Sequence, residues 1–184
     1  MARHERPSVT VVDRLLNWEK ITDRRNARPL QRFTCTSECP RSPGGKKLPH
    51  PKPFELEVQS HLRESSKRLK NGELLLVGRL EDQTIVAAAH LMFTPLTAGV
   101  QTHIASVAVD TNVRGQGGAI ANEVLLVIFE TAREHAAMVG ELALVTGKIH
   151  NENRPSEALF VRAGFEPYSV PSGDYQQWVI RLPL

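Results

Sequence analysis

Cysteine is scarce in this chain: Cys35 and Cys39 are the whole supply among 184 residues. Two thiols exclude a disulfide framework, and with the nearby His50 they form an incomplete zinc set. They read as reduced thiols, with a strand as a natural burial place for one of them. Aromatic residues make up 5% of the chain, which leaves little to stack on nucleic-acid bases. No apolar run approaches the roughly 20 residues that a membrane helix needs. The opening Met1-Ala-Arg-His-Glu-Arg-Pro7 lacks the apolar segment of a secretory signal. The expectation is a soluble, cytoplasmic protein with no membrane partner.

What is present suffices for one domain with a sizeable core: 41% of the residues are hydrophobic. The net charge of +3 hides an asymmetry. Residues 1–53 hold twelve Lys and Arg against five Asp and Glu, and the remainder eleven against fifteen. A basic N-terminal arm reads either as a solvated helix face and loop or as a contact for an anionic partner, such as RNA or cofactor phosphates.

Ser8 to about Arg28 has helical spacing through Val12, Leu15, Leu16, Trp18 and Ile21, with Pro29 beyond its end. Arg28 to Thr36 is expected as a short strand. The breaker-rich Pro40–Pro53 stretch is a loop, of a length that is either functional or a surface insertion. Glu55–Leu69 reads as an amphipathic helix. Leu74–Leu80 and Ile85–Phe93 form a hairpin, and Val100–Val109 is the next strand. Ile120, Val124, Val127, Ile128 and Thr131 share one helical face between Gly117 and His135. Leu142–Ile149 is a strand. Pro155 and Gly164 bracket a further helix, and Gln176–Leu182 closes the chain as a strand.

Two blocks carry chemistry. In Val107-Ala-Val-Asp-Thr-Asn-Val-Arg-Gly-Gln-Gly-Gly-Ala119 an apolar strand enters a helix through a basic, glycine-rich turn. Gly115, Gly117 and Gly118 allow close approach of an anion, the N–H groups at the helix start point at it, and Arg114 adds a cation. Downstream lies Asn153-Arg-Pro-Ser-Glu-Ala-Leu-Phe-Val-Arg-Ala-Gly-Phe165. Together the blocks resemble the GNAT superfamily, which transfers acyl groups from acyl-CoA, usually to amines. Arg114, Gly117 and Ala119 match its pyrophosphate loop. Asn153, Ser156, Gly164 and Phe165 match its second motif, with Phe160 where relatives often carry Tyr. The resemblance is strong over the C-terminal half and architectural over the first.

The resemblance implies a single GNAT-like domain over residues 1–184, a mixed, largely antiparallel sheet with helices on both faces. A splayed parallel pair of strands, around Val107 and Val145, would hold acyl-CoA. Residues 100–165 would bind the cofactor, acetyl-CoA by default, and residues 1–53 would lie on the acceptor side. Pantetheine would pair near Val107 and Val109, pyrophosphate would rest on the segment Gly115, Gln116, Gly117, Gly118 and Ala119, and Asn153 would touch pantetheine while capping its helix. Phe160 lies in the same cofactor site but cannot protonate a departing thiolate, so Tyr168, Tyr175 and Ser156 become candidate acids. His103 is the first candidate base because imidazole titrates near neutrality, with His90, Glu55, Glu57 and His150 behind it.

The leading expectation is an acyltransferase acting on a small-molecule amine or an exposed amino group of a macromolecule. Against it stand a non-catalytic acyl-CoA-binding module, motivated by Phe160, and a toxin-like acetyltransferase of aminoacyl-tRNA. The latter is motivated by the basic arm and a loose likeness of Phe33-x-Cys35 to GNAT toxins. A homodimer is left open.

Overall fold

The computed structural model describes residues 14–115, 118–140 and 142–184. Seven strands form one sheet: β1 (Asn17–Ile21), β2 (Glu73–Arg79), β3 (Ile85–Leu96), β4 (Gly99–Val109), β5 (Leu142–His150), β6 (Glu166–Pro167) and β7 (Tyr175–Leu182). Their spatial order is β1-β2-β3-β4-β5-β7-β6. Pairing is antiparallel except between β4 and β5. Among the described residues, four helices complete it: α1 (Arg24–Ala27), α2 (Pro53–Arg68), α3 (Ala119–Val139) and α4 (Arg154–Arg162). This is the mixed, largely antiparallel architecture expected from the motifs.

The run Leu74-Leu-Leu-Val77 is apolar at every position because both faces of the sheet are covered. Leu74 and Leu76 face the core on the α3/α4 side, which also contains Val124 and Ile128 of α3 and Phe160 of α4. Leu75 and Val77 pack with Leu30, Phe33 and Leu62 on the α1/α2 side. The predicted apolar face of α3, Ile120, Val124, Val127, Ile128 and Thr131, is buried throughout.

The N-terminal expectations are corrected. Residues 8–13 lie outside the described part, but the remainder of the expected Ser8–Arg28 helix is β1 followed by the one-turn α1. The expected Arg28–Thr36 strand begins as a 3-10 turn, Arg28–Arg32, and Cys35 is buried without being on a strand. Tertiary partners override the local pattern. β2 offers an open edge on which Trp18 pairs with Gly78, and a Cβ on Gly78 would stand 2.8 Å from Leu16 and 3.0 Å from the Trp18 ring. The buried Glu123 carboxylate of α3 then accepts hydrogen bonds from Leu15 N (2.9 Å), Leu16 N (3.2 Å) and Trp18 Nε1 (2.8 Å). These donors fix the chain in extended form against α3.

One irregularity positions the site. Along β3 and β4, Leu91 pairs with Ile104 but His90 pairs with Ser106, so Ala105 is an extra residue. Such a bulge switches which face each later side chain meets. Ile104 faces α3; beyond the bulge, Val107 and Val109 turn to that side, and Ala108 turns to α1/α2.

Candidate active site

The turn between β4 and α3 is built for close approach. The Asp110 side chain accepts from Asn112 N at 2.8 Å and sets a 3-10 turn over Thr111–Val113. Gly115 (φ 86°) and Gly118 (φ 77°) then take left-handed conformations that disfavour any side chain. A Cβ on Gly115 would meet nothing within 4 Å, and one on Gly118 would meet only Arg162 Nη2 at 3.8 Å. The cradle therefore opens outward, beside a cation at the end of α4 that sequence reading did not assign. Ala119 opens the 21-residue α3, whose N-terminus favours negative charge. Gln116 and Gly117 lie outside the described residues.

Arg114 braces this turn against the opposite layer. Its Nε donates to Val109 O (2.9 Å), Nη1 to Glu55 Oε1 (3.0 Å) and Nη2 to Cys35 O (2.5 Å). Among the described residues these three bonds engage three of its five N–H donors. Burial alone would raise the Glu55 pKa, but the Thr36 hydroxyl and the charges of Arg114 and Lys52 outweigh it and hold the carboxyl below its ordinary value.

Beyond this brace the sheet parts. β4 and β5 pair from Gly99 with Leu142 to Ile104 with Gly147, and the register stops there. From Ala105 to Val109 the edge of β4 that faces β5 has no ladder partner, as on β5 beyond Gly147. Val107 and Val109 border the gap from the α3/α4 side, partly buried. Ser106 is 5% exposed, and its hydroxyl is buried without a hydrogen-bond partner. Asn153 caps α4, accepting from Ser156 N at 3.3 Å, and its own N–H bonds His150 O at 2.8 Å. Phe160 is walled in by Phe165, at 4.2 Å between ring centroids, and by Trp178. Its Cε2 and Cζ lie 3.1 and 3.3 Å from where a Cβ on Gly147 would stand, so a side chain at the apex of the split would crowd the Phe160 ring.

The other predicted catalytic residues divide into two groups. His103 stands at the last paired turn of β4, with Nδ1 3.0 Å from Thr146 Oγ1. Burial, then Lys148 and His61, lower its pKa from the ordinary 6.5. His103 and the exposed Tyr168 both border a concavity of about 720 Å³ over β4, β5 and β7. Tyr175 is separate. Its hydroxyl donates to Glu57 of α2, and its ring meets His150 edge-on, which in turn stacks on Phe54 at 4.9 Å. Burial and the Glu57 carboxylate push the Tyr175 phenol up to about 12.

Sequence reading missed His61 and Glu73. His61 Nε2 is 3.0 Å from His90 Nδ1, Ser65 Oγ is 3.2 Å from the same atom, and Glu73 Oε2 is 3.4 Å from His90 Nε2. The available signal was the His61–Ser65 pair, four residues apart on α2 beside the apolar Val58–Leu62 stripe.

Among the described residues, no helix is long and apolar enough to cross a membrane. No curated protein matches the chain. The profile of the "Acetyltransferase (GNAT) family" matches residues 42–165, spanning the turn, the split strands and α4. The chain belongs to the GNAT acetyltransferase family. It is an acyltransferase with acyl-CoA as cosubstrate.

Solved structures share this GNAT fold at low identity. A variant of the spermidine N-acetyltransferase SpeG from Vibrio cholerae matches with a TM-score of 0.54 and 11% identity, covering 91% of this chain and 94% of its own. The NatC complex bound to Gag peptide and CoA matches at 0.53 and 16%, covering 92% and 98%. A GNAT acetyltransferase from Listeria monocytogenes 4b F2365 matches at 0.50 and 14%, covering 66% and 71%.

The residues present fit an acyl-CoA. The two positive-φ glycines leave open space in front of a helix N-terminus, the split strands expose unpaired backbone, and the Ser106 hydroxyl is buried beside them without a partner.

Proposed function

We propose that this protein transfers an acetyl group from acetyl-CoA to a primary amine by direct attack, the amine approaching from the α1/α2 side of the split. The observation that carries this reading is the parting of β4 and β5 after Ile104 and Gly147, with an open glycine turn before a helix N-terminus at one end and a polar, histidine-bearing face on the opposite side. Acetyl-CoA supplies a thioester already activated toward amines.

The chain's residues then have distinct tasks. Gly115, Gly118, Ala119, Arg114 and Arg162 hold the phosphates. The unpaired backbone around Val107 and Val109 aligns the pantetheine arm and supplies an N–H to the developing oxyanion. His103 and Tyr168 border the acceptor. Tyr175 exchanges its hydrogen bond to Glu57 for one to the departing sulfur. A phenol near 12 does not surrender its proton to a thiolate whose conjugate acid lies near 8.5, so the sulfur leaves as an anion and equilibrates to the thiol in solvent buffered at neutral pH. Direct attack fits the thiols as well: burial pushes Cys35 up to about 11, far from a thiolate at neutral pH.

The test has two steps. Thermal melting with acetyl-CoA, CoA and dephospho-CoA reads the cradle, since a ligand well above its dissociation constant stabilises by a few kcal/mol. Thiol release is then followed with spermidine, lysine and a peptide bearing a free N-terminus. Binding followed by release with one of these amines supports transfer. Phe160 favours a second reading, a domain that binds acyl-CoA without turnover. Tight CoA binding with no thiol release from any amine would establish it instead.

A further inference from the structure

The acceptor face contains a chain of three titratable groups contributed by three different elements. Glu73 opens β2, His90 sits mid-way along β3, and His61 is on α2. His90 and Glu73 are nearly enclosed, with side chains 4% and 10% exposed, whereas His61 reaches solvent. His90 pairs across the sheet with Ser106, the residue that follows the β4 bulge, so the chain lies at the level where β4 leaves β5.

We infer that His61 is the general base of the acyl transfer, and that His90 and Glu73 are positioning residues that fix its tautomer and share its positive charge. This rests on the proposed reading of the site as an amine acyltransferase. The protonation states follow from the contacts. The Glu73 carboxylate accepts from Lys70 N at 3.0 Å and presents the same oxygen to His90 Nε2, which places the proton of neutral His90 on Nε2. His90 Nδ1 is then an acceptor, taking the Nε2–H of His61 and the Ser65 hydroxyl. The His61 Nδ1 lone pair is left free to take a proton.

The 3.4 Å contact between His90 and Glu73 lacks the alignment of a hydrogen bond and leaves Nε2 without one. Catalytic hydrogen bonds of this kind shorten when charge develops. In the step itself the amine nitrogen forms its bond to the acyl carbon and its proton passes to His61 Nδ1. The carbon–sulfur bond breaks with its electron pair on sulfur; His61 releases its proton to solvent and the thiolate takes one up from solvent, which regenerates the base and completes the thiol.

The groups facing this chain set the sign of its pH dependence. Burial lowers the pKa of His61 and His90 below the ordinary 6.5, while Glu73 raises both; His103 is also near His90, and Lys148 acts on His103. His61 is therefore neutral and basic at pH 7. The rate should rise with pH through an acidic limb below 6.5 and then level off.

The experiment combines pH–rate profiles, using acetyl-CoA and the fastest amine of the panel, with histidine NMR titrations of the unliganded protein. His61→Gln, at an exposed position, should abolish the acidic limb, lower kcat/KM by about 100-fold or more, and be partly rescued by added imidazole. Glu73→Gln should move the His61 titration and the acidic limb to lower pH together. A structural role for Glu73 would change stability but leave both pH values in place. Wild-type rates in His61→Gln, or a His61 titration indifferent to Glu73→Gln, would overturn the inference. If the coupled titration is present but no amine releases thiol from wild-type protein, the acyltransfer reading itself fails, and the base role fails with it.

Discussion

The two faces of the sheet were assembled by different rules. On the α3/α4 side, the groups assigned to acyl-CoA come from two short stretches of chain, 107–119 and 153–165, and act largely through backbone: glycine conformation, helix N-termini and an unpaired strand edge. On the α1/α2 side, the polar groups come from positions 61, 73, 90, 103, 146 and 175, and are gathered by strand register together with the passage of α2 over the sheet. A local motif can specify the first kind of site. The second exists only once the strands are in register, because a side-chain cluster depends on face and level as well as on spacing.

The largest expected effect tests the backbone side. Gly118→Glu combines a side chain at φ 77° with a carboxylate in the anion cradle. It should weaken acetyl-CoA by at least about 100-fold and abolish the ligand-induced melting shift, with a much smaller change in the unliganded melt. A normal shift would break the assignment of the backbone side. Glu123→Ala comes next, because it orphans three donors at Leu15, Leu16 and Trp18. Chemical denaturation should show a loss of about 2 kcal/mol. A neutral result would mean that local sequence alone keeps this segment extended.

Tyr175→Phe sharpens the side-chain half of the comparison. Removal of the phenol, which stays protonated well past neutral pH, should lower kcat by roughly tenfold with little change in the affinity for acetyl-CoA. An equal loss in CoA binding would move Tyr175 to the cofactor side. The smallest effect concerns the thiols. At pH 8 an alkylating reagent should label the half-buried Cys39 and spare buried Cys35 until the protein is unfolded. Mass spectrometry of native and denatured samples reads the difference.

The same contrast explains what could be read in advance. β2 to β5, α3, α4 and the turn between β4 and α3 were legible, since each carries its own periodicity, caps or glycines. The segment before α2 was not. Leu15, Leu16, Trp18 and Ile21 fall near helical spacing, yet an open β2 edge and the Glu123 carboxylate draw these residues into a strand. Arg114 was legible as a cation but not as the clamp joining the turn to Glu55 and Cys35, because those partners are distant in sequence. Phe160 was legible as the departure from Tyr, but its packing on Gly147 was not.

By itself, then, the sequence determined the order of most elements, the glycine-rich turn ahead of α3 and the likeness to acyltransferases, since these depend on neighbouring residues and backbone conformation. The tertiary structure decided where the parallel strands part, which way β4 side chains turn after Ala105, and that His61, His90 and Glu73 stand within hydrogen-bonding or ion-pair reach. Those outcomes depend on cross-strand register and on the path of α2 over the sheet, which are set by the packing of the whole core.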